Sequence, residues 1–433
     1  MKLSTIKYIT CFVMAGALLM ATGCKKDYTD PSRAIQERVI RSAAGLTGVA
    51  VGVQRAYALG RGSSLYNLVT TDGFLTKQLT ILNQGNTAEY QLFLGGDQVN
   101  PTNNSIVLSF WTNSNKVIYD ANNVLKYAPE LADKNYASGL IAYVSIFKAL
   151  ALTNMAMFWE QVPDTTGTNV GFITNSEALN KALGVVNNAL ATVNANAISA
   201  AFLSNIPAGI DIVNTLHALR ARLSLYTGNY AQALAAANAV DLSKRSTLNF
   251  DLQSLNPIFE TATSTNNVFQ PLDSTMGLPP ALEPNLADKR VPFYIAIGAN
   301  PRYRIGGFGA TSTIGWPLYL PGEITLIKAE AYARMTPPDL VNGLIELNKV
   351  ITKQPADDPF GVGAGLPPSG PLTQPELLEQ IYRHRAIELF MSGLRLMDSR
   401  RFNRPVSERK RNYLPYPNQE RNNNTNTPTD PAF

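Results

Sequence analysis

The feature that most constrains this chain is a helical hairpin near its middle. Apolar side chains recur at helical spacing from Ile212 to Tyr226, stop at Thr227-Gly228-Asn229, and resume from Tyr230 to Val240. Glycine enters the left-handed region without a Cβ clash, so Gly228 suits the position just past a helix. Asn229 suits the next N-cap, where its side chain can accept a free amide. Tyr226 and Tyr230 flank the turn, and the small Ala233 lets two antiparallel helices approach closely. This is the logic of a tetratricopeptide-type hairpin, which must stack on neighbours to bury its apolar face. A second hairpin of the same plan runs through Glu323 to Arg334, Pro337-Pro338, and Asp339 to Val350. The predicted fold class is therefore an all-helical core of tetratricopeptide-like hairpins.

The same period predicts helices over 33–59, 111–127, 140–159, 176–197 and 374–401, the first weakened by Gly45, Gly48 and Gly52. Two stretches break it. Residues 70–109 are rich in Asn, Gly, Gln and Thr and read as long excursions with little regular structure. Residues 244–321 are dense in Pro, Gly, Asn, Ser and Thr and too long for a simple connection. Such a stretch is usually functional, or a subdomain of turns and short strands. The helical core is thus expected over about 33–60, 111–240 and 322–402, with the two irregular stretches forming a second lobe in a single domain. Residues 355–371 read as a linker, and past Arg404 the chain turns irregular and ends in an Asn/Thr/Pro-rich tail read as an extended surface coil. On the last long helix, Glu388 is expected to pair with Arg385 and Arg395 with Asp398 along a solvated face.

The amino terminus addresses location. Lys2 and Lys7 precede a short apolar run from Tyr8 to Met20, and Ala21-Thr22-Gly23 leads into Cys24. That run falls short of the roughly 20 residues needed to span a bilayer and fits a cleavable signal peptide. The small residues before Cys24 fit a bacterial lipobox, in which the thiol takes a diacylglycerol after residues 1–23 are cut away. Of the two cysteines, Cys11 lies inside the leader, so Cys24 would be the sole thiol of the mature chain. Residues 25–31 read as a short tether to the membrane.

Composition narrows the function classes. With 45% apolar and 16% charged residues, the chain can bury a large core, which excludes global disorder. The net charge of +5, two units of which are leader lysines, is too mild to suggest nucleic acid. Only two histidines, His217 and His384, are present, and no partner stands at metal-ligand or triad spacing. There is no phosphate-binding glycine-lysine loop and no nucleophile elbow, and Gly361-Val362-Gly363-Ala364-Gly365 runs into prolines. No cofactor and no metal site is expected.

Several segments resemble the SusD/RagB family. These are Pro321-Gly322-Glu323-Ile324 with Lys328-Ala329-Glu330-Ala331-Tyr332-Ala333-Arg334, and Tyr382 to Phe390 with Gly393-Leu394-Arg395, Asp398 and Arg400-Arg401-Phe402. Leu414-Pro415-Tyr416-Pro417 with Glu420 and Asn422 is similar, as are Trp111, Ile118, Ala121 and Asn122 of an early repeat helix and the Tyr226–Ala233 turn. His384, Ala386, Ser392 and Ser399 depart from the usual family residues. The resemblance implies an outer-membrane, surface-facing lipoprotein that binds a nutrient, such as an oligosaccharide. It also implies a partner, a SusC-like TonB-dependent transporter over whose mouth the protein closes, and no enzymatic activity. A lipid-anchored glycan-processing enzyme and a helical scaffold without a small ligand remain the alternatives, and the ligand could instead be a peptide.

Sugar rings offer flat C–H faces that stack on aromatics, while their hydroxyls need fixed amides, carboxylates or guanidinium groups. In the irregular stretches, Tyr90, Tyr303, Trp316, Phe74, Asn83 and Arg302 supply these types and are the candidate ligand residues.

Overall fold

Helix boundaries follow the capping side chains. The structure is a computed structural model that describes residues 41–263 and 267–433. Ser42 accepts the Gly45 amide at the start of α1 (Ala43–Ala58), and Ser63 accepts that of Tyr66 at the start of α2 (Ser64–Leu75). After β1 (Leu79–Ile81) and α3 (Thr87–Leu94), Asn104 caps α4 (Ser105–Tyr127) and Asp133 caps α5 (Lys134–Phe158). The ladder of β2 (Gln161–Pro163) with β3 (Phe172–Thr174) leads into α6 (Asn175–Ala195), opened by a reciprocal Thr174–Glu177 capping box. Helix α7 (Ala200–Leu203) is one turn, followed by α8 (Ile212–Tyr226) and α9 (Tyr230–Asn238). The next stretch holds β4 (Thr247–Leu248), α10 (Pro257–Ala262), β5 (Phe269–Pro271), α11 (Arg290–Tyr294), β6 (Ile295–Ile297), β7 (Tyr303–Ile305) and β8 (Trp316–Pro317). The last helices are α12 (Pro321–Arg334), α13 (Leu340–Thr352), α14 (Gln374–Glu388), α15 (Arg395–Arg401) and α16 (Asn418–Asn423).

The helices stack in succession: α1 on α4 and α5, α5 on α6, α6 on α8, α8 on α9, α9 on α12, and α12 on α13 and α14. The predicted α8–α9 hairpin forms as expected, with Gly228 at φ +75°, Asn229 capping the Gln232 amide, and Ala233 fully buried. Helix α5 is long and apolar enough to cross a membrane, yet 89% of its apolar window is buried inside the protein. It is the central core helix. Each large apolar side chain it buries contributes about 1.5–3 kcal/mol.

The second irregular stretch forms the expected subdomain of turns and short strands. Strand β1 pairs antiparallel with β5, placing Ile81 opposite Phe269, and β6 pairs with β7, placing Ile297 opposite Tyr303. Gln270 of β5 accepts the Ile305 amide at 2.7 Å, joining β7 to the first ladder.

Four expectations are corrected. Residues 70–109 are largely regular, holding the end of α2, β1, α3 and the start of α4; α2 went unread because a helix buried all round shows no amphipathic period. The helix expected over 374–401 is two, α14 and α15, separated by a turn in which Met391 and Gly393 take φ +60° and +83°. The Asn-rich tail is not coil throughout, since Asn418–Asn423 form α16. The first helix begins at Ala43, and the part of that expectation before residue 41, with Cys24 and the leader, lies outside the described residues.

The polar face of α14 is buried, not solvated. Glu388 accepts Arg290 Nη1 at 3.0 Å and Lys353 Nζ at 2.9 Å, while Arg290 also holds Asp288 at 2.7 Å and Lys353 holds Asp358 at 2.6 Å. Arg385 turns away from Glu388 to Asp398 at 2.9 Å, and Arg401 bridges Asp398 and Glu330, both at 2.7 Å. Arg395 does not reach Asp398 but donates to the Tyr382 hydroxyl at 3.1 Å. Burial and the nearby Arg290 hold His384 well below the usual imidazole range. The ring is neutral, and its Nδ1 accepts from Arg290 Nη2 at 2.8 Å.

Helix α2 is tied to α15 by Asp72, which accepts the amides of Leu396 at 2.6 Å and Arg395 at 3.3 Å. Burial pushes its pKa up from 3.8 to about 6 in spite of these bonds. A carboxyl raised in this way favours the folded chain most below its unfolded pKa of 3.8, and that contribution is lost as pH rises through about 6. Asp72→Asn should therefore compare better with the native chain at pH 7.5 than at pH 4.5, by about 2 kcal/mol, as read by urea unfolding at both pH values. Glu388→Ala takes one of its two carboxylate partners from each of two buried cations, Arg290 and Lys353, and should cost up to roughly 3–5 kcal/mol. Gly322→Ala, whose Cβ would lie 1.7 Å from Glu388 Oε1, should also lower the thermal midpoint without removing a charge. Unchanged midpoints in both variants would show that this network does not carry the fold.

Candidate functional site

A ligand surface binds best when its side chains are held in place before the ligand arrives. The turn entering α3 meets that condition. Asn83 Oδ1 accepts the Gly85 amide at 3.0 Å, and its carbonyl accepts the Asn86 amide at 3.1 Å and the Asn86 Nδ2 at 3.3 Å. Asn86 immediately precedes α3 and Tyr90 stands four residues on, so the two share a helix face. Arg61, on the α1–α2 connection, donates from Nη2 to Asn86 Oδ1 at 2.8 Å and to Glu89 Oε1 at 2.6 Å. Its Nε also reaches Glu89 Oε1, at 2.9 Å.

Glu89 is fully buried and accepts the Tyr66 hydroxyl at 2.6 Å as well, while its Oε2 lies buried with no hydrogen-bond partner. Partial burial works against the charge on Arg61, but the hydrogen bond and charge of Glu89 outweigh it and its pKa is raised. Burial, then Glu89, lifts the Tyr66 phenol well above its ordinary value, so it stays a neutral donor. The outcome is an Arg61 side chain that is 43% exposed yet anchored through a carboxylate. The Tyr90 ring is half-buried and stacks near-parallel on Phe93, with centroids 6.4 Å apart.

Arg302 and Tyr303 lie on the β6–β7 hairpin, Arg302 exposed and its guanidinium 5.7 Å from the Tyr303 ring. The strands β1, β5 and β7 connect this hairpin to the Asn83 turn. Tyr90, Asn83, Arg302 and Tyr303 thus all belong to the loop lobe, as two groups. Among the described residues no ring contact joins Tyr90 to Tyr303.

Phe74 and Trp316 are placed otherwise. Phe74 is 0% exposed, edge-on to Phe269 at 5.5 Å, and has no surface to offer a ligand. Trp316 is 7% exposed and packs on Phe308. It lines a narrow cavity of about 60 Å³ with Tyr57, Arg222, Tyr294 and Glu323, room for a few waters only. Both are core residues, because the aromatics of this lobe build its interior before they reach its surface. Arg61 and Asn86 were not singled out from the sequence. The Asn83-x-x-Asn86 spacing is a local signal for the turn, but only the fold brings Arg61 to it. Among the described residues no group of three or more His, Cys, Asp or Glu could hold a metal ion.

A model of the SusD family matches residues 226–431. Over those residues the chain is similar to the SusD family. The likeness in fold extends further. A SusD homolog from Bacteroides thetaiotaomicron superposes with a TM-score of 0.70 at 12% identity, covering 93% of this chain and 99% of that one. A SusD superfamily protein from Parabacteroides distasonis gives 0.67 at 16% identity, covering 93% and 100%. A SusD-like carbohydrate binding protein from Bacteroides vulgatus gives 0.66 at 15% identity, covering 84% of each chain. No curated protein matches by sequence. At these identities the SusD fold is shared while the surface side chains are free to differ.

The core and surface placements are separable by stability. Phe74→Ala should lower unfolding free energy by about 3–5 kcal/mol, while Tyr90→Ala, on a partly exposed helix face, should cost well under half of that. Equal losses in chemical denaturation would return Tyr90 to the core.

Proposed function

We propose that this chain is a lipid-anchored SusD-family protein of the outer membrane that captures an oligosaccharide and passes it to a TonB-dependent transporter. The observation that carries the reading is the anchored Arg61–Asn86–Tyr90 face with Asn83 beside it. It combines a guanidinium, two planar amides and a half-exposed ring, the groups that hydrogen-bond sugar hydroxyls and stack on sugar C–H faces. The loop-lobe pair Arg302 and Tyr303 offers a second guanidinium and ring. The solved SusD-like protein from Bacteroides vulgatus described as carbohydrate binding supports the same ligand class. The Cys24 lipobox supports the anchor, and the family resemblance supports the transporter partner.

Capture needs affinity but no bond breaking. Four buried carboxylates of the helical core are engaged with arginines: Glu323 with Arg222, Glu330 with Arg401, Glu388 with Arg290 and Asp398 with Arg385. They are therefore occupied in holding the fold.

Affinity isolation from gently solubilised outer membranes should recover a large TonB-dependent barrel in near-equal amount. Cys24→Ala should move the protein from the membrane to the soluble fraction. Isothermal titration of the purified chain with neutral oligosaccharides should show binding that Asn83→Ala with Tyr90→Ala weakens at least tenfold. Turnover of the same sugars, or recovery of the chain without a barrel, would sink the reading.

A further inference from the structure

The loop lobe is not the only place where the described surface is concave. On the helical side, an open cleft of about 490 Å³ lies between α4, the β2–β3 connection and α16. It is lined on one side by a stripe of α4 that includes Asn115 and Tyr119, and elsewhere by Thr165, Thr166, Gln419, Glu420 and Asn423. Tyr119 is 51% exposed, a large aromatic left uncovered in a concave setting. From the stripe, Asn115 commits only its Nδ2, to the Trp111 carbonyl at 3.1 Å, and the Gln419 amide and Tyr119 hydroxyl make no hydrogen bond within the described residues.

The walls are fixed from behind. Glu420 accepts the Trp111 indole N–H at 2.9 Å through Oε2 and the Asn424 amide at 2.9 Å through Oε1. Asn424 and Asn426 donate to the Val170 and Asn169 carbonyls at 3.1 and 3.0 Å, sealing the carboxy-terminal segment to the β2–β3 connection. Trp111 stacks on Phe172 at 19° and meets Tyr416 edge-on. The cleft therefore does not need to close before it can bind, and it lies within the size range of small-ligand sites.

We infer that this cleft is a second saccharide-binding site, taking one or two neutral sugar rings on Tyr119 with their hydroxyls met by Asn115, Gln419 and Asn423. A neutral ligand fits because the charges are already balanced or engaged: Lys116 pairs with Asp120 at 2.6 Å, and Glu420 is held by Trp111. An anionic ligand would have to break the first pair and face the second carboxylate. The inference rests on the reading that this chain handles saccharides, and it places a separate site on the opposite kind of scaffold, a helix face instead of loops.

The test is isothermal titration of the full mature chain with amylopectin, xyloglucan, yeast mannan and galactan oligosaccharides, using three variants in parallel. For at least one sugar the native chain should show two sites. Tyr119→Ala should abolish one or weaken it at least tenfold, while Asn83→Ala with Tyr90→Ala affects the other. Asn115→Ala with Gln419→Ala, which alters no buried contact between the elements, should repeat the Tyr119→Ala result with an unchanged thermal midpoint. Saccharide binding that Tyr119→Ala and the Asn115/Gln419 pair both leave unchanged overturns the second site and spares the capture function. Absence of binding to every sugar of the panel overturns both.

Discussion

The fold depends on one carboxylate, Glu388. It accepts from Arg290 of the loop lobe and from Lys353 at the end of α13, while its own backbone carbonyl takes the Tyr294 hydroxyl at 2.6 Å. Three parts of the chain far apart in sequence are thereby held at one point on α14. Desolvating that many charges is expensive, and the cost is met only because each has a partner: Asp288 for Arg290, Asp358 for Lys353, and neutral His384 as an acceptor. Helix α12 makes room by carrying Gly322 at the contact, where any side chain would displace the carboxylate. The apolar helix stack alone would not specify where the loop lobe sits. The ionic cluster does, because its partners satisfy one another in a single arrangement.

That arrangement explains the division of labour between the two lobes. The helices bury their apolar faces in succession, and α5 at the centre has almost no surface left. The loop lobe has only two-stranded ladders, which are marginal by themselves. Its order comes from contacts with the helical side: Glu388 to Arg290, Gln78 to the Met391 amide at 2.8 Å, and Asp72 to the first turn of α15. A loop surface supported in this way can vary its outward side chains while its backbone is kept in place. This is consistent with a shared fold at 12–16% identity.

Repeat architecture was legible in the chain because it is a periodic signal. The α8–α9 hairpin announces itself through Gly228, Asn229 and Ala233, and its boundaries are right to within two residues. What failed was everything that depends on burial from a distant segment. Helix α2 has no polar face, so period gives it no outline. The α14–α15 break is set by the backbone at Met391 and Gly393, inside a run that is otherwise good helix. Arg385 and Glu388 sit three apart, as a solvated pair would, yet both are buried and each answers to a different residue. For the ligand surface the residue types were legible and their exposure was not. Tyr90 and Phe74 are both aromatics of the first irregular stretch, and only the packing of Phe269 against Phe74 sends one inward.

Glu89 shows how the same physics serves a surface. Like Glu388 it is buried, but only Oε1 is engaged, by Arg61 and Tyr66 together, and Oε2 has no partner. A buried carboxylate left half satisfied is costly, and an apolar side chain of similar size would pack at less expense. Such a residue could not, however, orient a guanidinium. Arg61 is long and exposed, and without a fixed anion it would sample many rotamers, each of which a ligand would have to exclude on binding. With Glu89 beneath it and Asn86 beside it, that entropy has already been lost in the folded state. The stability given up at Glu89 is thus converted into a rigid donor at the surface.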